Sequence, residues 1–501
     1  MSTTGHWISA FFRALRSNKL FWIFFGIFIF EAVWIAFSGA YSMAYDEYFH
    51  FGIIKLYSHQ WLPFFGHQPA GADMYGAVVR DPSYLQHYIM SFPLRIFAHF
   101  VHGQTAQIIF LRLFDIGFFA AGLLVFRKVF RLAKVSPLVS NLSLIFLTLL
   151  PVAPFMAAQI NYDDLLFLLT GLTVWLAILV VDEIRDRDHM PVLNMLLLGS
   201  VAMLASLVKY VFLPILLSLL IYLIVSIVRE IGMRRLDLWT SVKRGSHGLY
   251  SWRGLAIVLL FLLSFGLFLE RDGLNMWRYH TPSPQCDKVL SVSACQAYDP
   301  YGRNYGYKQS NLKSLVSRKD KGDYPLNWLQ GMLRSSFFVV SNKENNYTVG
   351  LPLPLAYAAG YVVGIGGGLL LVWHARRLWR VNHAYQLFIL IIVVYSVTLF
   401  AQNLRDFLKL GVSVAIQGRY MVPLLPLAFV LVAESARGML GRFKPRVSMI
   451  IISLLLILML QGGGFLPFLL RTQDAWLWQN AWVLDANHAA RDVFRTIVAH
   501  Y

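Results

Sequence analysis

The chain alternates between long apolar runs and short polar breaks. The runs reach the roughly 20 residues that a helix needs to cross a bilayer. None shows the period-two alternation of a membrane strand, so the pattern predicts helices and not a barrel. We expect about eleven spans of this length, at 20–40, 104–126, 138–157, 163–181, 192–208, 211–228, 254–270, 351–373, 383–401, 420–436 and 447–468. The first is too long for a signal-peptide core, and no small-residue cleavage site clearly follows it, so it is expected to be retained. Residues 192–228 are too long for one span. Lys209-Tyr210 and Pro214 divide them and predict a tight turn. Gly364, Gly366, Gly367 and Gly368 lie inside a run and predict close helix packing instead of a phosphate loop.

The polar breaks differ in character. Residues 41–103 are rich in aromatics, histidine and proline and begin with a stretch running from Ala44 to Trp61. Read as a helix, it brings Asp46, Glu47 and His50 onto one face, since they are three or four residues apart. Tyr45, Phe49, Gly52, Ile53 and Leu56 make a neighbouring apolar face. That pattern predicts an amphipathic helix lying on the membrane surface, and Pro82 to Phe100 reads as a second one. A solvated helix with acids in its first turn fits the same residues. Residues 271–350 are the one large hydrophilic block. The tail 469–501 carries Trp476, Trp478 and Trp482, which suit an interface. The expected organisation is a membrane module over 1–270, a cap over 271–350, further spans over 351–468 and a tail over 469–501.

Composition agrees with the pattern. The chain is 57% hydrophobic and only 14% charged, against about a quarter charged in soluble domains. The net charge of +18 suggests nucleic acid until its distribution is read. With the N-terminus inside, the short inner loops hold most of the excess, notably Arg127 to Lys134, Arg229 to Arg253 and Arg437 to Arg446. This positive-inside bias sets the orientation, and the basic balance needs no nucleic acid to explain it. The loop from Arg229 to Arg253 reads as an inner-leaflet anchor. The only cysteines, Cys286 and Cys295, both fall in the outer block, where an oxidising compartment favours a local disulfide.

That topology collects chemistry at one face. Asp46, Glu47 and His50 lie on it, as do Asn161, Asp163 and Asp164, Lys209 and Tyr210, Arg405 and Lys409, and Arg419 and Tyr420. Acids from two loops and cations from others suit a base, an acceptor binder and an anion clamp. Ordinary roles also fit. Asn161 and Asp164 have the spacing of a helix cap, Lys209 that of a snorkelling span end. Arg112 and Asp115 are expected to pair with each other inside a span.

The Asp-Glu-x-x-His pattern after the first span resembles the GT-C superfamily of membrane glycosyltransferases, in particular protein O-mannosyltransferases and the lipid A aminoarabinose transferase. Asn161-Tyr162-Asp163-Asp164, Lys209-Tyr210 before Pro214, and Gln417-Gly418-Arg419-Tyr420 follow in the order of related bacterial membrane proteins. The block 271–350 carries no part of the resemblance. The resemblance implies an all-α, GT-C-like fold with juxtamembrane helices in its first outer loop. It implies transfer of a sugar from a polyprenyl-phosphate carrier to an extracytoplasmic acceptor (a glycan, lipid or protein of the cell envelope), at the outer side of a cell (inner) membrane. Asp46 would be the base and Glu47 would bind or orient the acceptor. Asp163 or Asp164 would hold sugar hydroxyls or support the base. Arg419, with Lys209 or Arg405, would neutralise phosphate, and His50, Tyr210 and Tyr420 would line the site. A lipid-phosphate leaving group needs no cofactor, although paired acids are of a type that binds a divalent metal. A transporter or lipid flippase is the main alternative, but such proteins place ionisable groups at mid-membrane and show internal repeats. A scaffold that binds a partner through 271–350 would not explain the charges gathered beside the membrane.

Overall fold

A computed structural model of the chain describes residues 3–43, 46–186, 190–234, 238–337, 340–342, 347–349, 354–462 and 465–499. Ala44 and Tyr45, which open the first polar stretch, lie outside them, as do 338–339, 343–346 and 350 of the outer block. The described chain is helical apart from turns, an isolated bridge between Gly39 and Leu477, and a short antiparallel pair, Val340–Asn342 with Tyr347–Val349. Among the described residues, six helices are long and apolar enough to cross a membrane: Asn18–Ser38, Gln104–Leu132, Asp163–Asp186, Tyr210–Glu230, Trp252–Tyr279 and His383–Leu410. By helix length and hydropathy this is an all-α, multi-pass membrane protein. The other predicted segments fall on Pro137–Thr148, Val192–Val208, Pro354–Trp379, Leu425–Leu440 and Pro445–Gly462.

Three segments depart from expectation. Residues 138–157 are not one helix: Pro137–Thr148 ends before Pro151, and a separate turn of helix, Val152–Ala157, follows. Pro151 and Pro154 lack the N–H groups that would carry the ladder through. The 254–270 segment continues through a wide π-type turn, Leu269–Gly273, to Tyr279, so the cap grows from a helix. The basic tail 1–19 contains a helix, Thr3–Arg16, whose Leu15 packs on Leu142 and Ile452. The division at Lys209 falls where expected: Val208 ends one helix, Lys209 is extended, and Leu213 starts the next. Of the four glycines, only Gly364 and Gly367 serve close packing, against Leu333 and Val432; Gly366 and Gly368 face open space.

The core runs between Gln104–Leu132 and Asp163–Asp186. Phe119 stacks on Phe167 at 4.4 Å and meets Phe28 at 5.2 Å, all three rings buried. Polar contacts mark the two ends of this bundle. At one, Arg127 reaches Asn18 at 2.6 Å, and His383 Nε2 meets Asp182 at 2.8 Å. At the other, the end of Asn18–Ser38, the start of Asp163–Asp186, the turn at Lys209 and the turn before Leu425–Leu440 converge. The 41–103 loop is tied to the 271–350 block there: Arg80 donates to Asn275 and Glu270, and Arg271 donates to the Phe64 and Asp81 carbonyls.

Candidate functional site

Asp46 is the last residue before the Glu47–Ser58 helix and adopts a left-handed conformation, φ 68°. Aspartate tolerates this region better than most residues. The turn sends Asp46 and Glu47 opposite ways. The Asp46 side chain is 63% exposed, and its Oδ2 accepts from Arg419 Nη2 at 2.7 Å. Glu47 is fully buried. Its Oε1 accepts from Arg112 Nε at 2.7 Å and the Ile160 N–H at 3.2 Å. Its Oε2 accepts from Arg112 Nη2 and the Met43 N–H, each at 2.8 Å.

This corrects two expectations. Glu47 has no lone pair left for an acceptor, so it anchors the outer loop. Arg112 does not pair with Asp115, because its planar fork is satisfied bidentately by Glu47 and by the Ala36 and Gly39 carbonyls at the end of Asn18–Ser38. Asp115 instead accepts from Gln86 at 3.2 Å and faces the Asn161 N–H. The Glu47–Ser58 helix also packs more deeply than a surface-lying helix: His50, Phe51, Gly52, Ile53, Ile54 and Tyr57 are all buried.

Two buried cations define the floor. Arg419 is held beside Gly418, where a Cβ would stand 2.0 Å from Ser336 Oγ, so only glycine admits this approach. Lys209 Nζ contacts Asp163 Oδ1 at 2.6 Å and sits between the rings of Tyr162 and Tyr420, at 4.3 and 4.8 Å. Burial pushes the Lys209 ammonium down to about 8, against the opposing pull of Asp163. Asn161 orders this corner, its Oδ1 accepting from the Asp163 N–H at 2.7 Å and its amide donating to Asp164 at 3.0 Å. Asp164 is fully buried beneath the site.

His50 Nδ1 meets His87 Nε2 at 2.7 Å, and the His50 ring lies edge-on to Tyr162 at 4.5 Å. Burial lowers both imidazoles, His87 to about 3, so the pair is neutral, with one ring donating to the other. Sequence reading missed His87. Its signal is the polar Gln86-His87 pair near the start of the Leu85–Phe100 helix, and both residues prove fully buried.

A cavity of about 450 Å³ opens next to this cluster and reaches it at Tyr162. Its floor includes Tyr75 and Tyr210, and its roof comes from the cap, with Tyr298, Tyr301 and Tyr305. Tyr75 packs directly on Gly52 of the Glu47–Ser58 helix. Cys286 lines the roof and is bonded to Cys295. Asp46, Lys209 and Arg419 adjoin the cavity without lining it. Arg405 is exposed and stays outside the cavity lining; Asp406 and Lys409 of the same helix line it. A second, apolar groove of about 310 Å³ runs between Leu213–Arg234 and His383–Leu410, lined by Val211, Pro214, Leu217, Leu399 and Tyr210. Tyr210 is therefore the wall common to groove and cavity. Among the described residues, no three His, Cys, Asp or Glu side chains are grouped to hold a metal ion.

Comparison with protein-family models and with characterised proteins finds no match to this chain.

Proposed function

We propose that the chain is an integral membrane glycosyltransferase that moves a sugar from a polyprenyl-phosphate carrier to an acceptor outside the membrane. The observation that carries this reading is the pairing of the exposed Asp46 with the buried Arg419, beside Lys209, where an apolar groove and a polar cavity share Tyr210. A carrier with a long isoprenoid tail needs both environments: lipid-like walls for the tail and fixed cations for its phosphate. The orientation that fits puts the N-terminus and the Arg229–Arg253 loop inside, with the site on the outer side of the cell membrane and about eleven helices crossing it.

The residues divide the work as follows. The donor phosphate competes with Asp46 for the Arg419 guanidinium. Binding therefore frees the carboxylate that the reaction needs. The acceptor hydroxyl oxygen bonds to the anomeric carbon as the bond from that carbon to the phosphate oxygen breaks. Asp46 takes the hydroxyl proton, and the electron pair leaves on the phosphate, where Arg419 and Lys209 stabilise the developing charge. No general acid is required, because a phosphate is already a weak base.

The test is transfer from a radiolabelled polyprenyl-phosphate sugar to total envelope acceptors. Asp46→Asn should lower turnover by about 100-fold or more, as for loss of a general base, with donor binding retained. Arg419→Ala should weaken donor binding by about tenfold or more, as for loss of a charged hydrogen bond. Transfer at the wild-type rate by Asp46→Asn would remove it as the base. Reporter fusions at residue 240 should read cytoplasmic and at residue 310 external; the reverse would overturn the sidedness of the site.

A further inference from the structure

We infer that the acceptor is a saccharide, bound against the tyrosine face of the cap helix Asp299–Gln309. The inference rests on the transferase reading only for the word acceptor; the binding site stands on its own geometry.

The helix Asp299–Gln309 has no buried residue. Its Tyr301, Asn304, Tyr305 and Lys308 are spaced i, i+3, i+4 and i+7 and so share one face. All four line the cavity. The Tyr301 and Tyr305 rings are stacked 6.0 Å apart, and the Tyr301 hydroxyl is held by Asp287 at 3.1 Å. Rings set side by side above an open volume gain little as a core. They do offer flat apolar surface with polar tips. Tyr75 and Tyr210 line the same cavity, as do the polar groups of Asp81, Asp406 and Lys409.

This is the chemistry of a pyranose. Its C–H faces lie flat on aromatic rings, while its rim of hydroxyls needs several short polar side chains that both donate and accept. The volume of about 450 Å³ falls within the range of small-ligand sites, about 300–1,000 Å³. An acyl chain would leave Asp81, Asn304 and Asp406 facing hydrocarbon. A peptide that binds by adding a strand finds no edge here: among the described residues the paired strands, Val340–Asn342 and Tyr347–Val349, do not line this cavity. The cavity also ends in the right place. Tyr298 of the roof lies 5.8 Å from Phe49, and its hydroxyl is held above its ordinary range by burial, then by the charges of Asp81 and Asp46. A sugar hydroxyl entering from beneath this roof is delivered to the Asp46 side of the cluster.

The experiment uses the full-length protein in lipid nanodiscs without donor. Saturation-transfer NMR is recorded with glucose-, mannose- and N-acetylglucosamine-based disaccharides, and with a Ser/Thr-containing peptide as control. At least one disaccharide should bind and the peptide should not. Tyr301→Ala combined with Tyr305→Ala should weaken that binding at least tenfold, and Tyr301→Phe, which keeps the ring, should retain it. Binding of a labelled polyprenyl-phosphate sugar should be unchanged in the double variant. Binding of the peptide alone, or of no disaccharide, overturns the proposal. Equal loss of donor binding in the double variant also overturns it, since the tyrosine face would then belong to the donor. Disaccharide binding by a wild-type protein that takes no polyprenyl-phosphate sugar would overturn the transferase reading and leave the saccharide site standing.

Discussion

Asp46 and Glu47 are adjacent and carry the same charge, yet the structure assigns them opposite fates. Glu47→Gln separates the two roles. The Arg112 and Glu47 side chains are both 0% exposed. Removing one charge of such a pair leaves the other buried and uncompensated, which costs about 3–5 kcal/mol. The amide cannot adapt. Each Glu47 oxygen accepts from one Arg112 nitrogen and one backbone N–H, from Ile160 or Met43. Whichever way a glutamine flips, its NH₂ meets two donors. The expected loss is therefore at the upper end, about 5 kcal/mol, a large share of the 5–15 kcal/mol that holds an ordinary domain together. Thermal melts of detergent-purified protein, followed by tryptophan fluorescence, should show a strongly destabilised Glu47→Gln. Adding Arg112→Met should restore part of the loss, because the stranded charge is gone. Asp46→Asn should lose much less, because its side chain is 63% exposed and an asparagine amide oxygen can still accept from Arg419. Wild-type melting of Glu47→Gln with lost turnover would refute the anchor assignment and return Glu47 to the chemistry.

Other consequences are as direct. His50 and His87 both titrate below their unfolded value of about 6.5. Stability is full above that pH and is lost as the pH falls from about 6.5 towards the folded value of about 3 for His87. At pH 5 the His87 contribution alone costs about 2 kcal/mol, so melting should drop between pH 7.5 and 5, and the drop should shrink in His87→Gln. Lys209 holds its proton below about 8; donor-phosphate affinity should fall as the pH rises through that value, and Lys209→Arg should abolish the fall. Gly418→Ala places a Cβ 2.0 Å from Ser336 Oγ and 2.6 Å from the Ser336 backbone nitrogen; it should displace Arg419 and weaken donor binding while Gly366→Ala, in open space, changes nothing.

What the sequence revealed followed the physical range of each signal. Six of the expected spans were legible because the bilayer imposes one length and one polarity on each helix. The turn at Lys209 was legible because a charge and a nearby proline interrupt an apolar run. The break before Val152 was not, because proline inside a membrane helix is compatible with a kink as well as a break, and neighbours decide. At the site, the convergence of Asp46, Asp163, Lys209 and Arg419 at one end of the bundle followed from helix order alone. Their pairing did not. Arg112 is 65 positions from Glu47, and Arg419 is 373 from Asp46, and no local spacing rule spans such separations. The contrast between the two acids depended on one backbone angle. A regular helix would turn Asp46 and Glu47 only about 100° apart, as at 3.6 residues per turn, and both would share the protein-facing side. The left-handed Asp46 breaks that continuity. Its carboxylate stays at the surface, with Arg419 its one side-chain partner among the described residues, whereas Glu47 is enclosed by four donors. A base must give up its contact when substrate arrives, and only the first arrangement allows that.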